Sequence, residues 1–213
     1  MNAFVETGTK RDAQREATRA RILAVARDHF ERHGEAGASV RAIAKDAGVA
    51  AGTVLLHFTD KRDLLHASLA GDLDATIAHA VAMKPGRTLA ASLRAIAHLF
   101  FAYYEKRPFL SKTLLREALL AEPPWRDRFV AQVSRVHGHV AALATAAKAR
   151  SELDDACDVA VLGASFFSFY YFALIGWVQG ALADPRPIFD RMLATHLEAL
   201  TPRTAKPKGR KPR

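Results

Sequence analysis

Cysteine is nearly absent: Cys157 is the only one in 213 residues. No disulfide can form within the chain, and nothing is available to build a cysteine-rich zinc site. Strand-like alternation is missing too, since no run of residues switches between apolar and polar with period two. Ala, Leu and Arg, all good helix formers, dominate instead. There is no glycine loop of the phosphate-cradling kind, no zinc-protease motif and no nucleophile elbow, so the chain does not read as an enzyme. Residues 1–11 contain Glu6, Lys10 and Arg11 but no long apolar run. A secretory signal is therefore not expected, and the cytoplasm is the expected compartment.

What the chain does have is apolar content, half of its residues, enough for a sizeable buried core. It also has a formal charge of +9, but that charge is unevenly placed. Arg203, Lys206, Lys208, Arg210, Lys211 and Arg213 crowd the last twelve residues with no acid among them. The segment 202–213 reads as a disordered basic tail, either simply solvated or an accessory phosphate binder. The remaining chain, 1–201, is close to neutral.

Punctuation by Gly, Pro and capping residues divides that chain into about nine helices, an all-α fold. Ile22, Leu23, Ala26 and Phe30 form the stripe of a first helix that Gly34 and Gly37 end. Ser39 can cap a short second helix over 40–46, and a third runs over 50–57. Asp60 caps a fourth with Leu64, Leu65, Leu69 and Leu73 inward, ending before Pro85-Gly86. Thr88 caps a fifth, Pro108 opens a sixth, and Pro123-Pro124 precedes a long seventh with Phe129, Val133, Val136, Val140 and Leu143 on one face. Asp154 or Asp155 is expected to cap the eighth, which ends near Asp184-Pro185. The last helix holds Ile188 to Leu200.

Ser39 to Thr53 has the chemistry of a helix-turn-helix. Ala44 is small enough for two helices to cross closely, Gly48 suits the left-handed residue of a tight turn, and Val49 with Val54 anchors the second helix. Such a unit presents the N-terminal half of its second helix to a DNA major groove. With the flanking Ile22 to Phe30, Gly34, and Gly52-Thr53-Val-Leu-Leu-His57-Phe58-Thr-Asp-Lys61-Arg-Asp-Leu64-Leu65, the segment closely resembles the DNA-binding head of the tetracycline-repressor (TetR) family.

That resemblance implies a homodimer on a palindromic double-stranded operator, with a variable ligand-binding body and repression relieved by ligand. Carried over, it makes Arg41 a base reader and Thr53, His57 and Lys61 phosphate contacts. Ser39, Ala50, Ala51, Gly52 and Leu55 complete the implied DNA surface. Arg can pair bidentately with guanine, and a helix N-terminus beside Lys61 favours an anion. Two positions depart from the family. Ala50 stands where Ser or Thr usually caps, a loss of about 0.5 to 2 kcal/mol, and Leu55 stands where Tyr is usual. The recognition surface is therefore poor in hydrogen-bonding groups, and its methyls suit thymine. The expected layout is a three-helix head at 1–66, a ligand-binding and dimerisation bundle at 67–201, and the tail. A small-molecule carrier with degenerate DNA recognition is the alternative.

In the body, Val159 to Ala183 carries no formal charge and includes Gly176-Trp-Val-Gln-Gly180, the small-xxx-small spacing of membrane helices. Ser165, Ser168 and Gln179 interrupt it. A helix buried by its own core on one side and by a partner on the other is equally apolar, so this segment, with the last helix, is expected to be the dimer face rather than a membrane span. Most aromatic residues there read as core. Phe100, Tyr104, Phe129, His137 and Phe166 are the candidates for lining a pocket that takes a small apolar or aromatic ligand. His29 and His33, at i and i+4, read as a surface pair without partners for a metal. Neither a metal nor a cofactor is expected.

Overall fold

The computed structural model describes residues 3–120 and 122–202. Among them there are nine helices and no strand: α1 Ala3–Gly37, α2 Val40–Asp46, α3 Ala51–His57, α4 Lys61–Ala82, α5 Leu89–Glu105, α6 Pro108–Leu120, α7 Trp125–Ala149, α8 Val159–Val178 and α9 Arg186–Ala199. The all-α expectation holds. The basic tail lies outside the described residues from position 203 on. The chain divides into two compact units, Met1–Thr76 with Tyr103–Gln132, and Ile77–Ala102 with Val133–Arg213. Helices α4, α5 and α7 each contribute to both.

In the first unit, Ile22, Ala26 and Phe30 of α1 are buried, as are Ile43 and Ala44 of α2, Val54 of α3, and Leu64 and Leu65 of α4. α1 starts well before its apolar stripe and kinks at Gly34 (φ 67°, ψ 178°). A Cβ at Gly34 would also lie 2.9 Å from the Phe109 ring, so two constraints select glycine there. Beside the kink, Glu31 accepts hydrogen bonds from the Phe109 and Leu110 amides at 3.2 and 2.8 Å. A carboxylate from α1 thus caps α6, where the unpaired amides and the helix dipole favour negative charge. α4 begins as the sequence indicates: the Asp63 amide donates to Asp60 Oδ1 at 2.7 Å, and Asp63 Oδ2 accepts from the Thr59 amide at 2.9 Å.

The second unit is built on aromatic packing. Phe101 stacks on Tyr170 at 5.2 Å and meets Phe189 edge-on at 5.7 Å, while Phe166 meets Phe189 at the same distance. On α7 the buried row is Val136, Val140, Ala144 and Ala147. Thr88 caps α5 as expected, its Oγ1 accepting from the Ala91 amide at 3.1 Å.

Three expectations for α8 are corrected. Its cap is Asp158, whose carboxylate accepts from the Ala160 and Val161 amides. Asp154 instead spends its Oδ1 on the Ala156 amide at 2.8 Å, closing a local turn. The helix stops at Val178 rather than near Asp184 because Gly180 adopts φ 79°, with Ala181 and Leu182 amides both donating to the Gly176 carbonyl. This is a glycine-terminated helix end. The small-xxx-small pair therefore does not lie along one helix. Leu182 of the same chain fills the space over Gly176, where a Cβ would meet its Cδ1 at 2.8 Å, and Gly180 lies past the helix.

Candidate nucleic-acid interface

The helix-turn-helix is held from below by α1. The Val49 amide donates to the Ala44 carbonyl at 2.9 Å and the Gly48 amide to Lys45 at 3.0 Å, a turn that Gly48 permits with φ 65°. Arg21 Nε donates to the Ala47 carbonyl at 2.9 Å. His29 is buried, and its Nε2 is hydrogen-bonded to Asp46 Oδ2 at 2.7 Å. His29 is therefore not half of a surface pair: it ties α1 to the end of α2, while His33 alone is exposed. No group of three possible metal ligands occurs among the described residues.

On this scaffold Arg41 is exposed on the first turn of α2. Ser39 occupies the N-cap position with φ −114°, but its hydroxyl makes no cap hydrogen bond. Ala50, the N-cap of α3, has no side chain able to cap. Ala50 and Gly52 are exposed, whereas Ala51, Thr53 and His57 are half-buried. Leu55 is 56% exposed and Leu56 80% exposed, so the outward face of α3 is mainly methyl groups. Lys61 Nζ donates to the Glu35 carbonyl at 2.6 Å, which ties the start of α4 to the end of α1 just past the Gly34 kink rather than leaving the ammonium unengaged.

Several contributors escape the sequence reading. Leu56 is the most exposed large apolar side chain among those of the described residues. Arg19 lies 5.2 Å from the centroid of the Phe58 ring, the residue that closes α3. Arg21 and His29 come from α1, 26 and 17 residues from their partners.

The five pocket candidates are distributed as follows. Phe100, Tyr104 and Phe166 are buried, Phe129 is half-buried and His137 is exposed. Phe100 and Phe166 belong to the aromatic core of the second unit, Phe100 meeting Tyr170 edge-on at 6.2 Å. His137 stacks on Phe167 at 3.7 Å, and the partial loss of water there lowers its pKa. Tyr104 belongs to the first unit, where its carbonyl accepts from the Ser111 hydroxyl at 2.7 Å. A separate cavity of about 500 Å³ in the first unit is lined by Thr59, Asp60, Arg62, His66, Glu122 and Trp125 among others, a polar wall unlike the apolar one expected.

Residues 22–68 match the family model described as bacterial regulatory proteins, tetR family. No curated protein matches the chain. Among solved structures, a TetR transcription regulator from Haloarcula marismortui is similar at 19% identity and TM-score 0.73, over 87% of this chain and 98% of its own. The transcriptional regulator FadR from Bacillus subtilis, solved with stearoyl-CoA, is similar at 19% identity and TM-score 0.66, over 85% and 98%. FadR from Bacillus halodurans, a fatty acid degradation regulator, is similar at 18% identity and TM-score 0.65.

Proposed function

We infer that this chain, a helix-turn-helix member of the tetR family of bacterial regulatory proteins, is a homodimeric repressor that leaves a palindromic operator when a small apolar or aromatic ligand occupies its body. The observation that carries the reading is the exposed, cation-flanked α3 on a turn built by Ala44, Gly48 and Val54. Arg41 reads a base, Thr53 and His57 approach phosphates, and Leu55 and Leu56 pack on thymine methyls. Lys61 braces the head through the Glu35 carbonyl and, with three donors on its ammonium, reaches a phosphate from the same position. Residues 1–66 form the reading head and 67–201 the body.

The dimer forms through α8 and α9. Val161, Ala164, Ser168, Phe172 and Ile175 are all exposed on α8, and their spacing of three and four residues makes one continuous stripe. Opposite them, Leu162, Phe166, Tyr170, Ala173 and Leu174 are buried. The helix is long and apolar enough to cross a membrane, yet its buried side is committed to its own core. A second copy of the same stripe satisfies the other half by an isologous contact. The two recognition helices must then sit one DNA turn apart, about 34 Å.

The stearoyl-CoA bound by the Bacillus subtilis FadR supports an apolar ligand for this body, with Phe100, His137 and Phe166 of the second unit as its contacts. Such a ligand acts only through its differential affinity for the DNA-bound and released states. Selection of genomic fragments by the purified protein tests the reading. A palindrome should emerge, and its occupancy should fall when a long-chain acyl-CoA is added. Fragments enriched at random would instead identify a carrier with degenerate DNA recognition.

A further inference from the structure

Helix α1 changes character partway along one face. Ile22, Ala26 and Phe30 mark the face that is buried in the head. Arg15 and Arg11 precede Ile22 by seven and eleven residues, and Arg19 precedes Ala26 by seven. All three therefore continue the same face toward the N-terminus. Where the apolar core ends, cations take over. Arg11 and Arg15 are exposed and Arg19 is half-buried. Among the described residues, no ion pair holds Arg11 or Arg15.

This stretch is fixed relative to the helix-turn-helix. The Arg19 guanidinium lies over Phe58 at the end of α3, and Arg21 holds the Ala47 carbonyl in the turn between α2 and α3. The helix is regular from Ala3 until Gly34, so arginines spaced by four residues stand about 6 Å apart along a rigid rod. Their shared face is the one turned toward the helix-turn-helix. Asp12 and Glu16 each follow an arginine by one residue and so lie about 100° round the helix. Between residues 10 and 21 the only apolar side chains are alanines. A helix that inserts into a lipid surface needs large apolar residues opposite its cations, and this stretch has none.

We propose that the Arg11, Arg15 and Arg19 stripe is a second DNA contact, gripping backbone phosphates that flank the segment read by α3. The proposal rests on the helix-turn-helix reading above and adds a surface outside it. Guanidinium groups on phosphate give affinity and register without base preference, because they release counterions but touch no base edge.

The test is the salt dependence of full-length protein binding to a fluorescent random-sequence duplex, read by anisotropy. With Arg11→Gln and Arg15→Gln combined, the log-log slope should fall by about 0.9 per lost contact, up to about 1.8 per protomer. Arg11→Lys with Arg15→Lys should keep the wild-type slope. An unchanged slope in the glutamine variant overturns the proposal. So does loss of binding to phosphatidylserine vesicles with DNA binding intact, which would assign the stripe to a membrane surface. A wild-type protein that binds no duplex at all would sink the helix-turn-helix reading itself, a result distinct from a normal wild type with an unresponsive variant.

Discussion

Helices α3 and α8 both turn apolar side chains to solvent, Leu55 and Leu56 on the first and Val161, Phe172 and Ile175 on the second. α3 is a seven-residue helix, about 10 Å long, and the elements flanking it carry cations: Arg41 on α2, Arg62 at the start of α4, and Arg19 over Phe58. α8 is twenty residues long, about 30 Å, and carries no charge at all. Two leucines in a cationic surround suit methyl-bearing base edges beside phosphates. A long, uncharged, self-complementary stripe suits its own copy. Exposed apolar area alone would not tell these apart, and the electrostatic setting does.

The largest effect should come from placing charge on α8. Phe172→Glu combined with Ile175→Glu should give monomers in sedimentation, since two carboxylates would face two others across a two-fold contact. Operator affinity should drop by about 100-fold or more, because binding one half-site no longer holds the second head at high effective concentration. Both side chains are exposed within the chain, so circular dichroism should stay helical. A dimer that survives both changes would remove α8 from the interface.

On α3 the effects should be smaller and of a different kind. Arg41→Ala should cost about 1 to 3 kcal/mol per half-site on the selected operator and little on scrambled duplex. Equal losses on both would mean that Arg41 touches only phosphate. Leu55→Tyr restores a ring with a hydroxyl to the methyl-rich face. It should strengthen binding by about 0.5 to 1.5 kcal/mol per half-site, the net worth of one hydrogen bond. Titration of both duplexes at one salt concentration measures the two variants together. A weaker Leu55→Tyr complex would mean that the leucine itself makes the operator contact.

The elements that were legible in the sequence are those with local signals. Thr88 and Asp60 cap where they were expected to, and Gly48 takes its left-handed turn. The α8 cap was not legible because Asp154, Asp155 and Asp158 stand close together, and only the fold shows that Asp154 is consumed by its own turn. The first half of α1 has no apolar stripe, so its helix rests on the propensities of Ala, Arg, Gln and Glu, which periodicity does not detect. In the site, the helix-turn-helix residues follow from spacing within fifteen positions. The engagement of Lys61 with the Glu35 carbonyl and of His29 with Asp46 depends on chain segments 26 and 17 residues away, and no local pattern encodes them.

Substitution at Gly180 should leave assembly and DNA binding least changed of all, although the small-xxx-small spacing of Gly176 and Gly180 suggests a partner-facing role. Gly180 stands beyond the end of α8 with φ 79°, and no heavy atom lies within 4 Å of where its Cβ would be. A side chain there meets backbone strain rather than a neighbour. Gly180→Ala should therefore cost about 1 to 2 kcal/mol of stability, the usual penalty for a left-handed residue with a Cβ, and leave the dimer intact. Gly180→Asn should recover much of that loss, since asparagine tolerates this conformation. Thermal melts and sedimentation of the two variants, run beside Phe172→Glu, separate the roles. If Gly180→Ala and Gly180→Asn both dissociate the protein while melting normally, the glycine lies in the interface after all, and the stripe through Phe172 must extend past the helix end.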